Sequence, residues 1–149
     1  MNPTASVELL SAEASLPRSS HSIGLVDDAL YILGGEVNPR EPASPFVHVF
    51  DLNGSIPSIW LLILDGALKH LETDLSPPLR VGAASVVVGR EIYMWGGRGG
   101  KEMTPLAEGG KFWVFNPEHS SWNQTPDPSG HIPDPRSYHC LAAIEVFKT

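Results

Sequence analysis

The chain has 149 residues, with 10 basic and 17 acidic side chains and a formal net charge of −7. This length fits one ordinary domain, and the acidic balance excludes nucleic acid and an anionic membrane surface as main partners, since both repel a negatively charged protein. The 14 glycines and 14 prolines indicate many turns and few long helices. The single cysteine, Cys140, excludes an internal disulfide and a cysteine-based metal cluster.

The sequence contains neither a secretory-signal pattern nor a run long enough to span a membrane. Residues 1–20 contain no basic start followed by an apolar run, which is the pattern of a secretory signal. The longest apolar run, residues 59–64, is far shorter than the ~20 residues needed to span a bilayer. We therefore expect a soluble, cytoplasmic protein.

The chain begins with a possible strand and then repeats itself. Residues 6–10, inside an N-terminal segment of residues 1–16, alternate enough to form a strand. Two copies of one pattern follow at an offset of 62 residues, pairing Arg18 with Arg80, Tyr31 with Tyr93, Gly34 with Gly96, and Gly35 with Gly97. A third copy begins at Arg136, and His139 follows it by three residues, as His21 follows Arg18. Landmarks at constant spacing predict a tandem-repeat fold.

Each complete copy contains short apolar segments bounded by turn formers, which predict β-strands. The first strands are residues 22–26 and 83–88, the second are 30–33 and 92–95, and the third are 46–50 and 112–115. Trp122, seven residues after Phe115, is expected to begin a short fourth strand. Four short strands in a unit of roughly fifty residues, with a glycine pair after the second, are the pattern of a propeller blade.

These landmarks resemble kelch repeats, which carry an arginine and a histidine before strand one, a double glycine after strand two, an aromatic residue in strand three and a tryptophan near strand four. Residues 17–36 are similar to the nitrile-specifier and epithiospecifier subgroup. The resemblance implies an all-β fold, an incomplete kelch-type β-propeller of about two four-stranded blades plus the first strand of a third. The expected parts are an N-terminal strand or tail (1–16), blade 1 (17–64), an inter-blade connection (65–77), blade 2 (78–125) and the start of blade 3 (135–149).

The first copy departs from this pattern after its third strand. Trp60 lies ten residues past Phe50, where the second copy has its tryptophan after seven. The leucines that follow recur at helical spacing: Leu64, Leu68, Leu71 and Leu75. This spacing predicts a connection that is a short amphipathic helix or irregular, or alternatively a helix that binds a partner.

The number of repeats predicts an open structure. Two blades cannot close a ring of the usual ~4–8 blades. The chain is then a fragment of a larger ring, a truncated gene product or an obligate assembly, and we favour the fragment. In each case Val86, Ile92 and Trp113 would be exposed on open blade faces, and the third copy would contain an unpaired strand.

The recurring arginines, Arg18, Arg80 and Arg136, are the candidate ligand-binding residues. At the starts of first strands they would lie at the mouth of a central channel, where guanidinium groups could bind an anion through paired hydrogen bonds. The alternative is that each arginine ties the loop of one blade to the next. In the nitrile-specifier subgroup, arginines at the positions of Arg80 and Arg136 hold a sulfate-bearing substrate, so the resemblance implies that role for these two residues.

Metal and covalent chemistry have little support in the sequence. None of the six histidines has local metal-ligand spacing: His21, His48, His70, His119, His131 and His139. The Glu-x-x-x-Asp-x-x-x-His iron series that the specifier resemblance implies is absent, as are a serine elbow and a phosphate loop. We expect no cofactor, because iron(II) would be required only if the protein were a specifier-like enzyme. We expect Cys140 to pack as a small hydrophobic residue in an inner strand.

Two functions of different classes fit these observations. The first is a non-enzymatic kelch-repeat scaffold whose long loops, residues 36–45 and 98–110, form a binding surface for another protein. The alternative is part of a nitrile-specifier-like, iron-dependent kelch protein that acts on sulfated thiohydroximate-type anions. A truncated product without function is a third hypothesis.

Overall fold

Short β-strands make up the regular structure of the chain. A computed structural model describes residues 16–52, 68–71 and 75–144. The strands of the first repeat are β1 Ser22–Val26, β2 Ala29–Leu33, β3 Glu36–Asn38, β4 Glu41–Pro42, β5 Val47–Asp51 and β6 Leu68–Leu71. Those of the second are β7 Ala84–Val88, β8 Glu91–Trp95, β9 Arg98–Gly99, β10 Thr104–Pro105, β11 Trp113–Asn116 and β12 Ser121–Gln124. Within the described part of the chain, no helix of the length and apolarity that a bilayer crossing requires is found.

Each repeat forms one four-stranded antiparallel sheet, with strand orders β1-β2-β5-β6 and β7-β8-β11-β12. The two sheets have the same register. Tyr31 pairs with Gly24 and Val49, and Tyr93 pairs with Val86 and Val114 at the equivalent positions. The predicted all-β fold with two four-stranded blades is therefore confirmed, and the first three predicted strands of each copy lie within a residue or two of those observed.

The fourth strand of the first blade lies where helical spacing was expected. Leu68 pairs with Phe50, just as Trp122 pairs with Phe115 in the second blade. The prediction of a helix is wrong for residues 68–71, because hydrogen bonding to the open edge of β5 decides the backbone conformation there. This strand falls within residues 65–77, the expected connection, while Trp60 and Leu64 lie outside the described residues.

The main hydrophobic core lies between the two blades, which pack face to face. The rings of Tyr31 and Phe115 are 5.6 Å apart across this interface. Ile92 is 0% exposed and Trp113 is 7% exposed, so the expectation that both face water is wrong. The reason is that the two blades cover each other, and Val86, on the far face of β7, is only half-buried.

Gly24 makes the close approach of the two blades possible. A Cβ atom at this position would lie 2.9 Å from Cδ1 of Ile92, closer than carbon atoms pack. A glycine inside a strand normally weakens it, and here the missing side chain leaves room for an isoleucine of the neighbouring sheet.

The third copy begins on the far face of the second blade. The backbone N–H of Gly97 donates to the carbonyl of Arg136 (2.9 Å), and that of Tyr138 donates to the carbonyl of Gly82 (2.8 Å). No strand is formed among residues 125–144. Cys140 is exposed, so its expected packing in an inner strand is wrong.

Candidate functional site

The three candidate arginines occupy equivalent positions in the three copies, and Arg80 and Arg136 lie at the seam, by which we mean the contact between successive repeats. Arg18 donates from Nε to the carbonyl of Leu16 (3.4 Å) and from Nη1 to that of Gly34 (3.1 Å). Arg80 donates in the same way to Pro78 (3.1 Å) and Gly96 (2.9 Å). Each of these two arginines thus ties its own segment to the first glycine of the double glycine in its own repeat.

The double glycines connect each repeat to the next. The backbone N–H of Gly35 donates to the carbonyl of Arg80 (3.1 Å), and Gly97 donates equivalently to Arg136. Gly34 has a φ of 62°, and a Cβ atom there would lie 2.9 Å from the Arg80 carbonyl oxygen. The first glycine therefore provides both a left-handed backbone and the space for the next repeat.

A second seam contact was not predicted from the sequence. Ser20, Gly82 and Tyr138, each two residues after a repeat arginine, all have positive φ angles of 56°, 68° and 56°. Gly82 N–H donates to the Ser20 carbonyl (2.9 Å), as Tyr138 N–H does to Gly82. The three residue types differ, and of them only glycine favours positive φ. Gly82 was therefore the one residue from which this left-handed position could have been predicted.

Arg80 is the centre of a buried charged cluster. Its guanidinium group donates to both carboxylate oxygens of Glu108, at 3.0 Å and 2.6 Å. The indole Nε1 of Trp113 donates to the same carboxylate at 2.7 Å. The side chains of Arg80 and Glu108 are 2% and 9% exposed. Since Nε, Nη1 and Nη2 of Arg80 already donate to protein acceptors, an external anion would have to displace Glu108 to bind there.

The same position in the first repeat has a different partner. Nη2 of Arg18 lies 2.6 Å from Nε2 of His48, which is almost fully buried. An arginine has only donors, so Nε2 of His48 accepts and the imidazole is neutral in this contact. Burial also lowers the pKa of the Arg18 guanidinium below its ordinary value.

Arg136 differs from the other two arginines because it is exposed. Its Nε donates to the carbonyl of Asp134 at 3.0 Å, which repeats the local contact of Arg18 and Arg80. The side-chain hydrogen bonds described above join Arg18 and Arg80 to residues of their own repeats, and successive repeats are joined by the backbone carbonyls of Arg80 and Arg136. A ligand role stays a prediction, with Arg136 the most accessible of the three.

The two repeat histidines lie beside the same seams. The pKa of His139 is lowered by burial and, to a smaller extent, by the charge of Arg136. The pKa of His21 is lowered by burial and then by Arg18. The ring of His139 packs edge-on against Trp95 at 4.9 Å, and neither of its nitrogens has a hydrogen-bond partner among the residues that the structure describes. Both histidines therefore favour the neutral form.

The two long loops form small antiparallel hairpins, β3–β4 and β9–β10, on the same side of the two blades. Each is closed at its base by one bond to the second glycine, from Ala43 N–H to Gly35 (2.8 Å) and from Leu106 N–H to Gly97 (3.0 Å). Nη2 of Arg40 reaches the carbonyl of Glu102 at 3.5 Å. We call residues 36–45 and 98–110 together the hairpin surface.

An iron site would require several His, Cys, Asp or Glu side chains close together. Among residues 16–52, 68–71 and 75–144, no three His, Cys, Asp or Glu side chains lie close enough together to hold a metal ion. The described residues therefore do not fit an iron site.

The fold and the seams define a tandem-repeat protein of stacked four-stranded blades. The family model described as the KLHDC2/KLHL20/DRC7 Kelch-repeats domain matches residues 4–146, so the chain belongs to the kelch-repeat family. The predicted resemblance to kelch repeats is thereby confirmed.

Two curated proteins are similar in sequence to parts of this chain. An N-(sulfonatooxy)prop-2-enimidothioate sulfolyase of Thlaspi arvense is 29% identical over 141 residues, which are 93% of this chain and 36% of that protein. A tRNA wybutosine-synthesizing protein 2/3/4 of Oryza sativa subsp. japonica is 35% identical over 80 residues, 54% of this chain and 7% of that protein. The chain thus spans about a third of the first relative and a small part of the second.

Proposed function

We propose that the chain is a protein-binding kelch scaffold and that the hairpin surface contacts the partner. The observation that carries this proposal is the anchoring of both hairpins to the double glycines of adjacent repeats by equivalent hydrogen bonds. Loops held by a rigid framework lose little conformational entropy on binding, and for this reason they are common binding elements.

The exposed side chains of the hairpin surface indicate the chemistry of the partner. Arg40, Glu41, Lys101 and Glu102 are exposed and carry both signs of charge. Val37 is 45% exposed, while Met103 and Ala43 are buried and support the loops from beneath. A polar protein surface with charges of both signs fits this pattern, since mixed charges give specificity rather than a large steering field.

Site-specific photo-crosslinking tests the proposal. A photoreactive amino acid at Val37 or Thr104 is expected to capture one discrete protein from cell extract, and excess unlabelled chain should compete for it. The matched control is the same group at Asn123, which is exposed on β12 away from the hairpins. Capture of the same protein with equal yield at Asn123, or capture that Arg40→Ala with Glu102→Ala does not reduce, would contradict the proposal.

A second candidate function is favoured by the name of the sulfolyase relative. In this hypothesis the chain is part of a specifier-like protein, and Arg80 and Arg136 bind a sulfated thiohydroximate-type anion. The exposed guanidinium of Arg136 supports this, while the Arg80–Glu108 ion pair opposes it. Turnover of N-(sulfonatooxy)prop-2-enimidothioate with added iron(II), lost in Arg136→Ala, is the expected result. No turnover, or turnover unchanged in that variant, would exclude this function for the chain.

A further inference from the structure

Tyr138 is the accessible one of the three tyrosines in the chain. Tyr31 is 7% exposed and lies in the interface between the blades. Tyr93 is half-buried, and its hydroxyl donates to a carboxylate oxygen of Glu91 at 3.3 Å. Tyr138, by contrast, is 58% exposed. An enzyme can therefore reach the Tyr138 side chain in the folded protein.

The hydroxyl of Tyr138 lies beside a positive charge. Nη2 of Arg98 donates to this oxygen at 2.8 Å, in a hydrogen bond at the protein surface. The guanidinium carbon of Arg98 is 5.0 Å from the centre of the phenol ring. A guanidinium group presents several N–H donors in one plane, and this geometry matches the oxygens of a phosphate group. A phosphate on the Tyr138 oxygen would therefore find an opposite charge already in place, whereas one on Tyr93 would be repelled by Glu91.

The backbone places both members of this contact. The N–H of Tyr138 donates to the carbonyl of Gly82 at 2.8 Å, and a Cβ atom on Gly82 would lie 3.0 Å from carbons of the phenol ring. Arg98 exchanges two backbone hydrogen bonds with Val81, each of 2.9 Å. Adjacent residues of the chain thus hold the tyrosine and the arginine together, so pairing a phosphate with Arg98 would cost little conformational entropy.

The segment that leads to Tyr138 is open to an enzyme. Residues 126–136 are exposed and contain no strand or helix. Exposed segments of this kind are the parts of a fold that enzymes reach and displace most easily. Tyr93 lies inside β8, which pairs with β7 on one side and β11 on the other. Access to its backbone would require breaking the sheet.

We propose that Tyr138 is a phosphorylation site and that Arg98 holds the phosphate group. In this reaction Oη of Tyr138 attacks the terminal phosphorus of a nucleoside triphosphate bound by a tyrosine kinase. The Oη–P bond forms, the bond from that phosphorus to the bridging oxygen breaks, and the nucleoside diphosphate leaves with the electron pair. The phenol proton passes to the carboxylate base of the kinase. The modification is independent of whether the hairpin surface binds a partner, because neither the exposure of Tyr138 nor its contact with Arg98 requires one.

A tyrosine kinase that phosphorylates a synthetic peptide of residues 132–144 is the suitable probe, because its activity on this sequence is then known. With magnesium and ATP, the native chain is expected to take up a single phosphate, which peptide mass spectrometry should locate at Tyr138. Tyr31 and Tyr93 are internal controls and should stay unmodified. Tyr138→Phe should take up no phosphate.

Phosphorus NMR then measures the contact with Arg98. The phosphate of the native chain should lose its second proton at a pH at least about half a unit lower than that of the same chain unfolded in urea, because a nearby positive charge favours the dianion. Arg98→Gln should remove most of this difference, and Arg98→Lys, which keeps the charge, should retain part of it. Arg90→Gln is the matched control, because Arg90 is an exposed arginine that pairs with Asp27 instead.

Two results would overturn the proposal. The first is phosphorylation of the peptide without phosphorylation of Tyr138 in the native chain. The second is a titration midpoint that is the same in the native and unfolded chains, or that Arg98→Gln changes no more than Arg90→Gln does. Nitrogen–proton NMR spectra check that the variants fold, and Arg98→Lys together with the native–unfolded comparison decides the question should Arg98→Gln be unfolded.

Discussion

The contacts of Arg80 show how a repeated residue can carry two roles in one place. Its side chain donates to Gly96 in its own repeat, and its backbone carbonyl accepts from Gly35 in the preceding one. The charge is compensated inside the protein by Glu108. The arginine of the repeat signature is therefore part of the connection between blades at this position.

Substitution of Glu108 tests the importance of this buried charge. In Glu108→Gln, Arg80 stays buried without an opposite charge, and we expect a loss of about 3 kcal/mol in the free energy of unfolding, measured by urea denaturation. Arg90→Ala is the control, because the Arg90–Asp27 ion pair has side chains that are 74% and 59% exposed. That variant should cost less than about 1 kcal/mol. Equal losses in the two variants would contradict the description of the Arg80 cluster.

The lowered pKa of His139 predicts a pH dependence of stability with a definite sign. Burial and then Arg136 lower the pKa in the folded chain, so the unfolded chain binds the proton more tightly. The associated stability is complete above the ordinary histidine pKa of about 6.5 and is lost as the pH falls below it toward the lowered value.

The measurement compares the wild-type chain with His139→Gln in urea denaturation at a series of pH values. The free energy of unfolding of the wild type should fall relative to that of the variant as the pH drops below about 6.5. The prediction would be contradicted if the difference in free energy of unfolding between the two proteins were constant with pH, or if it grew in favour of the wild type on acidification. Either result would show that folding does not lower the pKa of His139.

The positions of many residues of the candidate site could be predicted from the sequence, but the contacts that these residues make could not. The constant offset of 62 residues located Arg80 and the glycine pairs, because a repeat places equivalent residues at equivalent seams. The partner of Arg80 was not predicted, because Glu108 comes from a loop without a counterpart at the same spacing. The left-handed positions of Ser20 and Tyr138 were missed for a related reason, since neither residue type signals positive φ.

At the scale of elements, the turn after the second strand sets the distance between blades. Gly34 has a φ of 62° and is close to the next repeat. Gly89 has a φ of 61°, and a Cβ atom at that position would meet nothing within 4 Å. The two glycines thus share a backbone conformation and differ in their surroundings.

This pair gives a controlled test of the seam. Gly89→Ala should cost about 1 kcal/mol, which is the penalty of a left-handed alanine. Gly34→Ala should cost at least about 2 kcal/mol more, because its Cβ would lie 2.9 Å from the Arg80 carbonyl oxygen. Thermal or urea unfolding measures both. Similar costs at the two positions would mean that the seam is looser than described.

Among the elements, β6 is where sequence patterns and structure disagree. Leucine spacing favoured a helix, and the backbone of residues 68–71 instead pairs with β5. Apolar periodicity describes which side chains share a face, whereas an unpaired neighbouring strand offers hydrogen bonds that periodicity does not detect. The alternating burial of β1 could not be read from the sequence either, because Ser22 and Gly24 are buried while Ile23 and Leu25 are exposed.

At the scale of the whole molecule, some large apolar side chains are exposed on the outer blade faces. Ile23 and Leu25 are 56% and 54% exposed on one side, and Val88 is 46% exposed on the other. In the interior, the equivalent faces are covered by the neighbouring blade. Exposed apolar faces of this kind favour association.

We therefore expect the purified chain to associate with increasing concentration. Leu25→Lys should shift sedimentation velocity profiles toward the monomer, because it places a charge on the exposed face of β1. Val37→Lys, at a 45% exposed valine of the hairpin surface, is the control and should leave the profiles unchanged. A wild-type chain that is monomeric at all concentrations would contradict this expectation.

The central claim is that two equivalent four-stranded blades pack face to face across Gly24, Tyr31, Ile92 and Phe115. Nuclear Overhauser contacts in the intact chain test it most directly. The structure predicts contacts between the Gly24 α-protons and the Ile92 δ1 methyl group, and between the Tyr31 and Phe115 rings, whose centroids are 5.6 Å apart. Strand contacts within each blade without either of these contacts between blades would contradict it.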